Sequence, residues 1–267
     1  MSCGLFLYVG HEKLKFQDIY NFLKELETLQ EPEDSSPLGG HGAGFVMLSD
    51  SLVPYYKKVG YFENRSSVDA LFDSDELKNI ANSNFFLGHV RRASDEFSSL
   101  EELDELHAQP FVHSDAHCRV YCAHNGFLKN YADLKNRLGI EEFYTDSDVL
   151  CQLLLALLER FGEISRACEE LFSMIDGDNT AIFFVEKREQ FWLVVLHIGK
   201  TRGLVVNENE MGEMVIASRR APLYKYFGEL IEKKGFFESL YIKPKEHRLF
   251  INWWKLKVNP PFSLSEY

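Results

Sequence analysis

The chain has 267 residues, of which 45% are hydrophobic and 14% aromatic, so it can bury a core as one large domain or two small ones. Its formal net charge of −12 argues against nucleic acid as the main partner, because affinity for a phosphate backbone comes from clustered Lys and Arg. No apolar run approaches the roughly 20 residues that span a bilayer, and no basic segment followed by an apolar signal segment opens the chain, so we expect a cytoplasmic protein without membrane contact. The odd count of five cysteines, in a chain too long to need disulfides, predicts reduced thiols.

The predicted elements alternate between strands and helices along the chain. Strands are predicted where short apolar, β-branched or aromatic runs lie between turn residues, at 4–9, 45–48, 53–61, 85–91, 119–123, 182–186, 191–198, 203–206 and 214–217. Helices are predicted where apolar residues recur at helical spacing, at 16–29, 67–82, 127–138, 147–161, 164–174 and 223–234. This mixed order indicates an α+β protein, and because no repeat, low-complexity tract or linker interrupts it, we predict a single domain over residues 1–267.

A cysteine lies directly before the first predicted strand. That strand would fix Cys3 to the core, and a free α-amino group on the same residue, with a pKa of about 8, could accept the thiol proton. Taken alone, the position is more typical of a small buried hydrophobic residue. Ser2 is a direct obstacle to the catalytic interpretation, because removal of Met1 exposes Ser2 and leaves the cysteine without a free amine. A nucleophilic Ser2 is a chemical alternative, one residue out of register.

Three later segments place polar residues at the ends of predicted elements. Arg91 ends a strand, where a side chain can be aimed at a site, although a lone arginine is more typical of a surface salt bridge. Asn125-Gly126 follows another strand and is typical of a tight turn, but a helix is predicted next, so its backbone N–H groups would face open space. Asp146 lies near the start of a helix, where an N-cap is the ordinary role of an aspartate.

Read in chain order, these segments share a pattern. They are Cys3-Gly4-Leu5, Gly88-His89-Val90-Arg91-Arg92-Ala93-Ser94, Ala123-His124-Asn125-Gly126 and Thr145-Asp146-Ser147-Asp148. In combination they resemble the class II glutamine amidotransferases, a family of N-terminal-nucleophile enzymes. Gly42-Ala43-Gly44-Phe45 and Gln109-Pro110-Phe111 are similar to the short single-domain members. The resemblance covers residues 3–220, with 221–267 an extension of the same domain, and it implies a four-layer αββα sandwich of two antiparallel sheets between helices.

The resemblance also implies a role for each candidate residue. Cys3 matches the family nucleophile, which attacks the side-chain amide and forms a γ-glutamyl thioester that water hydrolyses. Asn125 and Gly126 match the oxyanion hole, which stabilises charge that develops in the transition state. Arg91 matches the residue that pairs with the substrate α-carboxylate, where a planar guanidinium suits two parallel hydrogen bonds. Asp146 matches the carboxylate that holds the α-ammonium group.

Three further residues near Arg91 bear on the same comparison. Ser94 occupies the place of a hydroxyl residue that lines the glutamine pocket in the family. Arg92 and Asp95 depart from the commoner family choices, which affects coupling to an ammonia acceptor. The resemblance therefore predicts glutamine or γ-glutamyl amide hydrolysis, with release of ammonia or an amine, and a substrate that is a small γ-glutamyl molecule.

Two partner hypotheses follow from the same resemblance. Residues after Arg220 carry no phosphate-binding signature, so either a separate ammonia-accepting synthase subunit docks on this chain or water is the acceptor. The sequence leaves open whether the chain forms a homo-oligomer. The competing hypothesis, which Ser2 motivates, is a catalytically silent amidotransferase-like protein that serves as a binding or regulatory subunit.

A metal site is the remaining alternative, because four candidate ligands lie close together in sequence. His113 and His117 fall in a predicted loop, whereas Cys118 and Cys122 would share a face only if one strand spans both. This spacing fits a zinc site poorly and contains no Cys-x-x-Cys pair, so we predict neither a metal nor another cofactor.

Overall fold

The computed structural model describes residues 3–32, 34–48, 54–73, 82–93, 103–188, 190–201 and 203–256. Its strands, in chain order, are β1 (Gly4–Lys15), β2 (Ala43–Leu48), β3 (Pro54–Val59), β4 (Asn82–Val90), β5 (Phe111–Ser114), β6 (Cys118–Gly126), β7 (Asn179–Lys187), β8 (Gln190–Gly199), β9 (Leu204–Glu208), β10 (Met214–Ala217), β11 (Phe237–Ile242) and β12 (Arg248–Lys255). They form a seven-stranded sheet, in the order β11-β9-β10-β1-β4-β2-β3, and a five-stranded sheet, in the order β12-β8-β7-β6-β5. Every pairing in both sheets is antiparallel.

Helices cover the outer face of each sheet. They are α1 (Phe16–Thr28), α2 (Ser67–Phe72), α3 (Tyr131–Leu138), α4 (Asp146–Phe161), α5 (Ile164–Met174) and α6 (Arg220–Lys233). Phe22 of α1 and Phe227 of α6 pack on Phe6 of β1, with ring centroids 4.6 and 4.9 Å away. On the other sheet, α4 buries Leu150, Leu154 and their neighbours against β6 and β7. This arrangement confirms the predicted α+β fold with two antiparallel sheets layered between helices.

The third apolar layer lies between the two sheets, and strand alternation decides which side chains enter it. Leu5 and Leu7 of β1, Phe85 and Leu87 of β4, and Tyr121 and Ala123 of β6 all belong to this inter-sheet core. Since successive side chains of a strand point to opposite faces, the same alternation directs Cys3, Arg91 and Asn125 into this layer. One end of the inter-sheet layer is therefore polar.

Several elements differ in extent from the prediction. β1 continues past Gly10 to Lys15, because Leu14 and Lys15 still pair with β4 after a register shift. The helix predicted over 67–82 is described only over Ser67–Phe72, and Asn82 already belongs to β4. The C-terminal region adds β11 to the edge of one sheet and β12 to the edge of the other. In the part of the chain that the structure describes, no helix is long and apolar enough to span a membrane.

Candidate active site

Cys3 is held by the start of β1, a central strand of the seven-stranded sheet. Leu5 N donates to Ser218 Oγ at 3.0 Å, and Ser218 N donates to Leu5 O at 3.1 Å, which fixes the strand two residues beyond the cysteine. The next residue, Arg219, forms a buried ion pair with Asp34, with 2.8 Å between Nη2 and Oδ2. These contacts join the start of β1 to the residues that follow β10. Cys3 is therefore anchored rather than part of a free terminus, and only 6% of it is exposed.

The thiol of Cys3 lies against the backbone that follows β4. Cys3 Sγ is 3.5 Å from Arg92 O, to which it can donate, and 3.4 Å from Arg92 N, from which it can accept. The Arg92 guanidinium points toward the glycine-rich turn at residues 39–42, where Nη1 lies 3.5 Å from Gly39 O. The predicted departure from the family pattern thus places a second arginine beside the candidate nucleophile.

Arg91 lies directly after β4, and the glycine-rich turn holds its backbone. Arg91 N donates to Gly42 O at 2.7 Å, and His41 N donates to Arg91 O at 2.9 Å. Burial lowers the pKa of the guanidinium, whereas the negative forms of Cys3 and Asp146 oppose that shift, so both residues lie within electrostatic reach of it. Arg91 Nη1 is buried and has no hydrogen-bond partner among the described residues.

Asn125 and Gly126 end strand β6 and do not form a tight turn. Both pair with β7, Asn125 opposite Thr180 and Gly126 opposite Asn179, and the following helix begins only at Tyr131. Asn125 is 1% exposed, and its Nδ2 has no hydrogen-bond partner in the described part of the chain.

The backbone at Gly126 admits no other residue. Its φ is +151°, and a Cβ added there would lie 2.1 Å from Asp178 O. This conformation and this close approach both require glycine.

Asp146 is the first residue of α4, but it does not cap that helix. The N-cap is Thr145, and Asp146 Oδ2 instead accepts a hydrogen bond from Leu128 N at 2.8 Å. Burial raises the pKa of the Asp146 carboxyl group, and the nearby His124, the Leu128 N–H and Arg91 act against that rise. The carboxylate therefore belongs to the same polar region as Arg91, and the N-cap interpretation of Asp146 is wrong.

A buried hydrogen-bond network next to Asn125 and Asp146 was not predicted from the sequence. His124 Nδ1 lies 2.8 Å from Ser147 Oγ, and His124 Nε2 lies 3.0 Å from Asn179 Oδ1. Gln109 donates from Nε2 to Ser147 Oγ at 3.2 Å and accepts from His124 N at 2.6 Å. The sequence contains His124 directly before Asn-Gly, and Gln109 in the Gln-Pro-Phe segment. It does not show which residues these two side chains form hydrogen bonds with.

The remaining sequence candidates fall elsewhere. Ser94 lies outside the described residues, as does Ser2. His113 lies on β5 and not in the predicted loop, and its Nε2 is 2.5 Å from Asp148 Oδ1. Cys118 and Cys122 share strand β6 and belong to the core beneath α4 and α5. Among the residues that the structure describes, no group of three or more candidate ligands is arranged to hold a metal ion.

Comparison with known protein families supports the predicted resemblance. Residues 98–225, just under half of the chain, match the family model described as a glutamine amidotransferase domain. The matched segment includes Asn125, Gly126 and Asp146, but it begins after Cys3 and Arg91.

Curated relatives extend the similarity to the rest of the chain. A glutamine–fructose-6-phosphate aminotransferase (isomerizing) from Campylobacter jejuni is 25% identical over 225 residues, which cover 83% of this chain and 33% of that protein. An amidophosphoribosyltransferase from Archaeoglobus fulgidus is 36% identical over 123 residues, which cover 45% of this chain and 26% of that protein. The chain thus matches between about a quarter and a third of the length of these relatives.

A solved structure supports the fold over nearly the whole chain. It is described as the allosteric regulatory enzyme of purine biosynthesis, and it superposes with a TM-score of 0.64 at 22% sequence identity. The match covers 96% of this chain and 50% of that one. The likeness shows that the two chains share a fold.

Proposed function

We propose that this protein is a glutamine amidotransferase that hydrolyses the side-chain amide of glutamine, or of a related γ-glutamyl compound, with Cys3 as the nucleophile. The observation that carries the proposal is a pair of buried donors, Arg91 Nη1 and Asn125 Nδ2, that lack hydrogen-bond partners among the described residues. An unpaired buried donor costs about 1–3 kcal/mol, so its presence in two candidate site residues favours a ligand with acceptor oxygens.

The charges around Cys3 suit the head group of a free amino acid. The Arg91 guanidinium would take the α-carboxylate, and the Asp146 carboxylate would take the α-ammonium group. Burial makes both charged forms costly, which is visible in the lowered pKa of Arg91 and the raised pKa of Asp146. A zwitterionic substrate offsets that cost at both residues at once.

The reaction requires that the thiol proton be stored and returned. The α-amino group of Cys3 takes this proton as Sγ attacks the amide carbon, and it delivers the proton to the leaving nitrogen as the C–N bond breaks. Water then attacks the thioester, gives one proton to the α-amino group and breaks the C–S bond. Glutamate leaves and the thiol is restored, so the cycle consumes one water and releases one ammonia or amine.

The oxyanion that forms in both steps needs donors already in place. Asn125 Nδ2 and the Gly126 N–H are the groups that we assign to it. Asn125 is carried by the end of a paired strand, and Gly126 has a conformation that only glycine supports, so neither donor must be reorganised during the reaction.

The fate of the ammonia is the part of the proposal that involves a partner. The curated relatives are named as an aminotransferase and a phosphoribosyltransferase, and this chain matches about a third of the first and about a quarter of the second. We propose that ammonia passes either to a separate synthase subunit or to solvent. Steady turnover by the purified chain alone would favour solvent, and co-purification with an acceptor protein would favour a subunit.

The nucleophile is tested by two forms of the chain that differ only at the N-terminus. One form begins with Cys3, released from a cleavable fusion, and the other begins with Ser2. We expect the first form to convert glutamine to glutamate at least about 100-fold faster, because an amide nitrogen at Cys3 cannot accept the thiol proton. Mass spectrometry of protein from its native host identifies which form is made.

Matched cysteine variants complete this test. Cys3 and Cys118 are each 6% exposed, and burial raises the pKa of the Cys118 thiol to about 11, which keeps it protonated. Cys3→Ala should abolish turnover, and Cys118→Ala should retain it. If the form that begins with Cys3 releases glutamate from neither glutamine nor γ-glutamyl dipeptides, the proposal is wrong and the silent binding or regulatory hypothesis is favoured.

A further inference from the structure

The candidate site is divided between the two sheets of the sandwich. The seven-stranded sheet carries Cys3 and Arg91, and the five-stranded sheet carries Asn125. Stacked sheets lie about 10 Å apart, and the apolar packing that holds them together is non-directional. A thiol and an amide donor that must act at a fixed separation therefore need a directional contact between the sheets.

Such a contact lies beside these residues. His89 of β4 is 3.1 Å from the carbonyl oxygen of His124 of β6, measured from Nε2. Both histidines are buried, and His89 has no exposed surface. His89 lies two residues before Arg91 on the same face of its strand, and the carbonyl group of His124 belongs to the peptide unit that continues into Asn125.

The protonation of His89 makes this contact a hydrogen bond with a defined direction. A carbonyl oxygen only accepts, so the proton lies on Nε2 of His89. Burial, assisted by the charge of Arg91, lowers the pKa of His89 to about 3, so the ring is neutral near pH 7.

The strand pairing explains why the His124 carbonyl is available to the other sheet. β5 begins at Phe111, opposite Cys122, so His124 lies beyond the end of that ladder. Gln109 Oε1 accepts from His124 N at 2.6 Å, and His89 donates to His124 O. Side chains therefore fix the backbone immediately before Asn125, in place of a neighbouring strand.

We propose that the His89–His124 hydrogen bond is a positioning contact that sets the separation between the Cys3 thiol and the oxyanion donor Asn125. In this proposal His89 acts on the backbone of β6 and not on the substrate. The proposal rests on the function proposed above, and it adds to that function a residue whose effect is transmitted through the backbone of β6.

Loss of the contact should act on the transition state more than on substrate binding. Hydrogen bonds to an oxyanion weaken steeply with distance and angle, and they act on charge that forms only in the transition state, whereas Arg91 and Asp146 hold the head group in the ground state and the transition state alike. A small shift between the sheets therefore lowers kcat and changes KM little.

Three substitutions separate the Nε2 contact from other effects of the ring. His89→Gln keeps a donor near the position of Nε2, His89→Asn keeps a polar group only near Nδ1, and His89→Leu keeps neither. With glutamine and the form that begins with Cys3, we expect the Leu and Asn variants to lose about 10- to 100-fold in kcat with KM within about twofold. The Gln variant should recover most of the loss.

His197→Leu is the matched control. His197 is also fully buried, but its Nε2 lies 3.2 Å from Gly199 O, a backbone oxygen of its own strand, so it makes this contact within one sheet. We expect this variant to lower the melting temperature while kcat stays within about twofold of wild type. Equal kcat in wild type and His89→Leu, or recovery by Asn and not by Gln, would overturn the positioning role.

A second measurement keeps this test independent of turnover. The γ-aldehyde of glutamate is in equilibrium with its cyclic imine, and its open form can form a tetrahedral adduct with a thiol, whereas glutamate itself uses only the head-group contacts. The open fraction is the same for wild type and variant, so it cancels when the two proteins are compared. In calorimetry, His89→Leu should weaken aldehyde binding about tenfold more than glutamate binding. If wild type binds the aldehyde but hydrolyses no γ-glutamyl amide, the proposed function fails. The loss of aldehyde affinity in His89→Leu, relative to the loss of glutamate affinity, still decides the role of His89 in that case. If wild type does not bind the aldehyde, both proposals fail.

Discussion

Asn125→Ala should separate catalysis from stability, because the donor that it removes has no partner in the described structure. Asn125 Nδ2 is buried without a hydrogen bond, so the variant relieves an unpaired-donor cost of about 1–3 kcal/mol. Loss of side-chain volume opposes that gain with a cavity cost of similar size. The free energy of unfolding should therefore change by no more than about 1–2 kcal/mol.

The effect of Asn125→Ala on the reaction should be much larger than its effect on stability. Removal of one oxyanion donor typically costs about 2.7–4 kcal/mol of barrier, or about 100- to 1000-fold in kcat. KM for glutamine should stay nearly constant, because the donor acts on charge that forms only in the transition state. Steady-state kinetics on glutamine and thermal denaturation provide the two measurements.

Asn207 provides the control for this experiment. It is also buried with an unpartnered Nδ2 among the described residues, but it lies on β9, and its Oδ1 accepts from the Tyr224 hydroxyl at 2.9 Å. Asn207→Ala should change stability and leave kcat unaltered. The assignment of Asn125 would be refuted by an unchanged kcat in Asn125→Ala, or by an equal loss of kcat in both variants.

Three further predictions concern the head-group contacts and the glycine beside Asn125. Arg91→Lys keeps the charge but loses the planar pair of donors, so KM for glutamine should rise about tenfold or more in a folded protein. Asp146→Asn should raise KM by a similar factor. An unchanged KM on both glutamine and γ-glutamyl dipeptides would contradict both assignments. Because burial raises the pKa of Asp146, KM should rise as the pH falls through that raised value, and a KM–pH profile of Asp146→Asn should lack this limb. Folding stability should change in the opposite direction to substrate affinity, because the folded state binds the Asp146 proton more tightly than the unfolded chain does. Wild type should therefore gain stability relative to Asp146→Asn as the pH falls through the same range. Urea unfolding at several pH values measures this gain. Gly126→Ala should destabilise the fold by several kcal/mol, since its Cβ would lie 2.1 Å from Asp178 O; a melting temperature equal to that of wild type would contradict the described backbone.

Local sequence patterns were sufficient for most elements of the fold. Helix α5 has the predicted bounds, and α4 differs by one residue, because their apolar residues recur along one face with turn residues beyond each end. Strand β8 extends one residue beyond its prediction at each end, and β7 contains its predicted range but begins three residues earlier, since the apolar runs of both strands are buried on both faces between a second sheet and a helical layer. The family resemblance placed these elements in the correct sandwich.

The sequence by itself determined which residue types stand at the ends of which strands: Cys3 before β1, Arg91 after β4 and Asn125-Gly126 at the end of β6. Only the tertiary structure decided that Asp146 bonds to Leu128 N rather than capping its helix, and that His89 bonds to His124 across the sandwich. The physical reason is the separation along the chain of the residues that interact. Apolar periodicity records which face of an element is buried, whereas a hydrogen bond between residues 35 positions apart depends on how two sheets stack and leaves no pattern in either local segment.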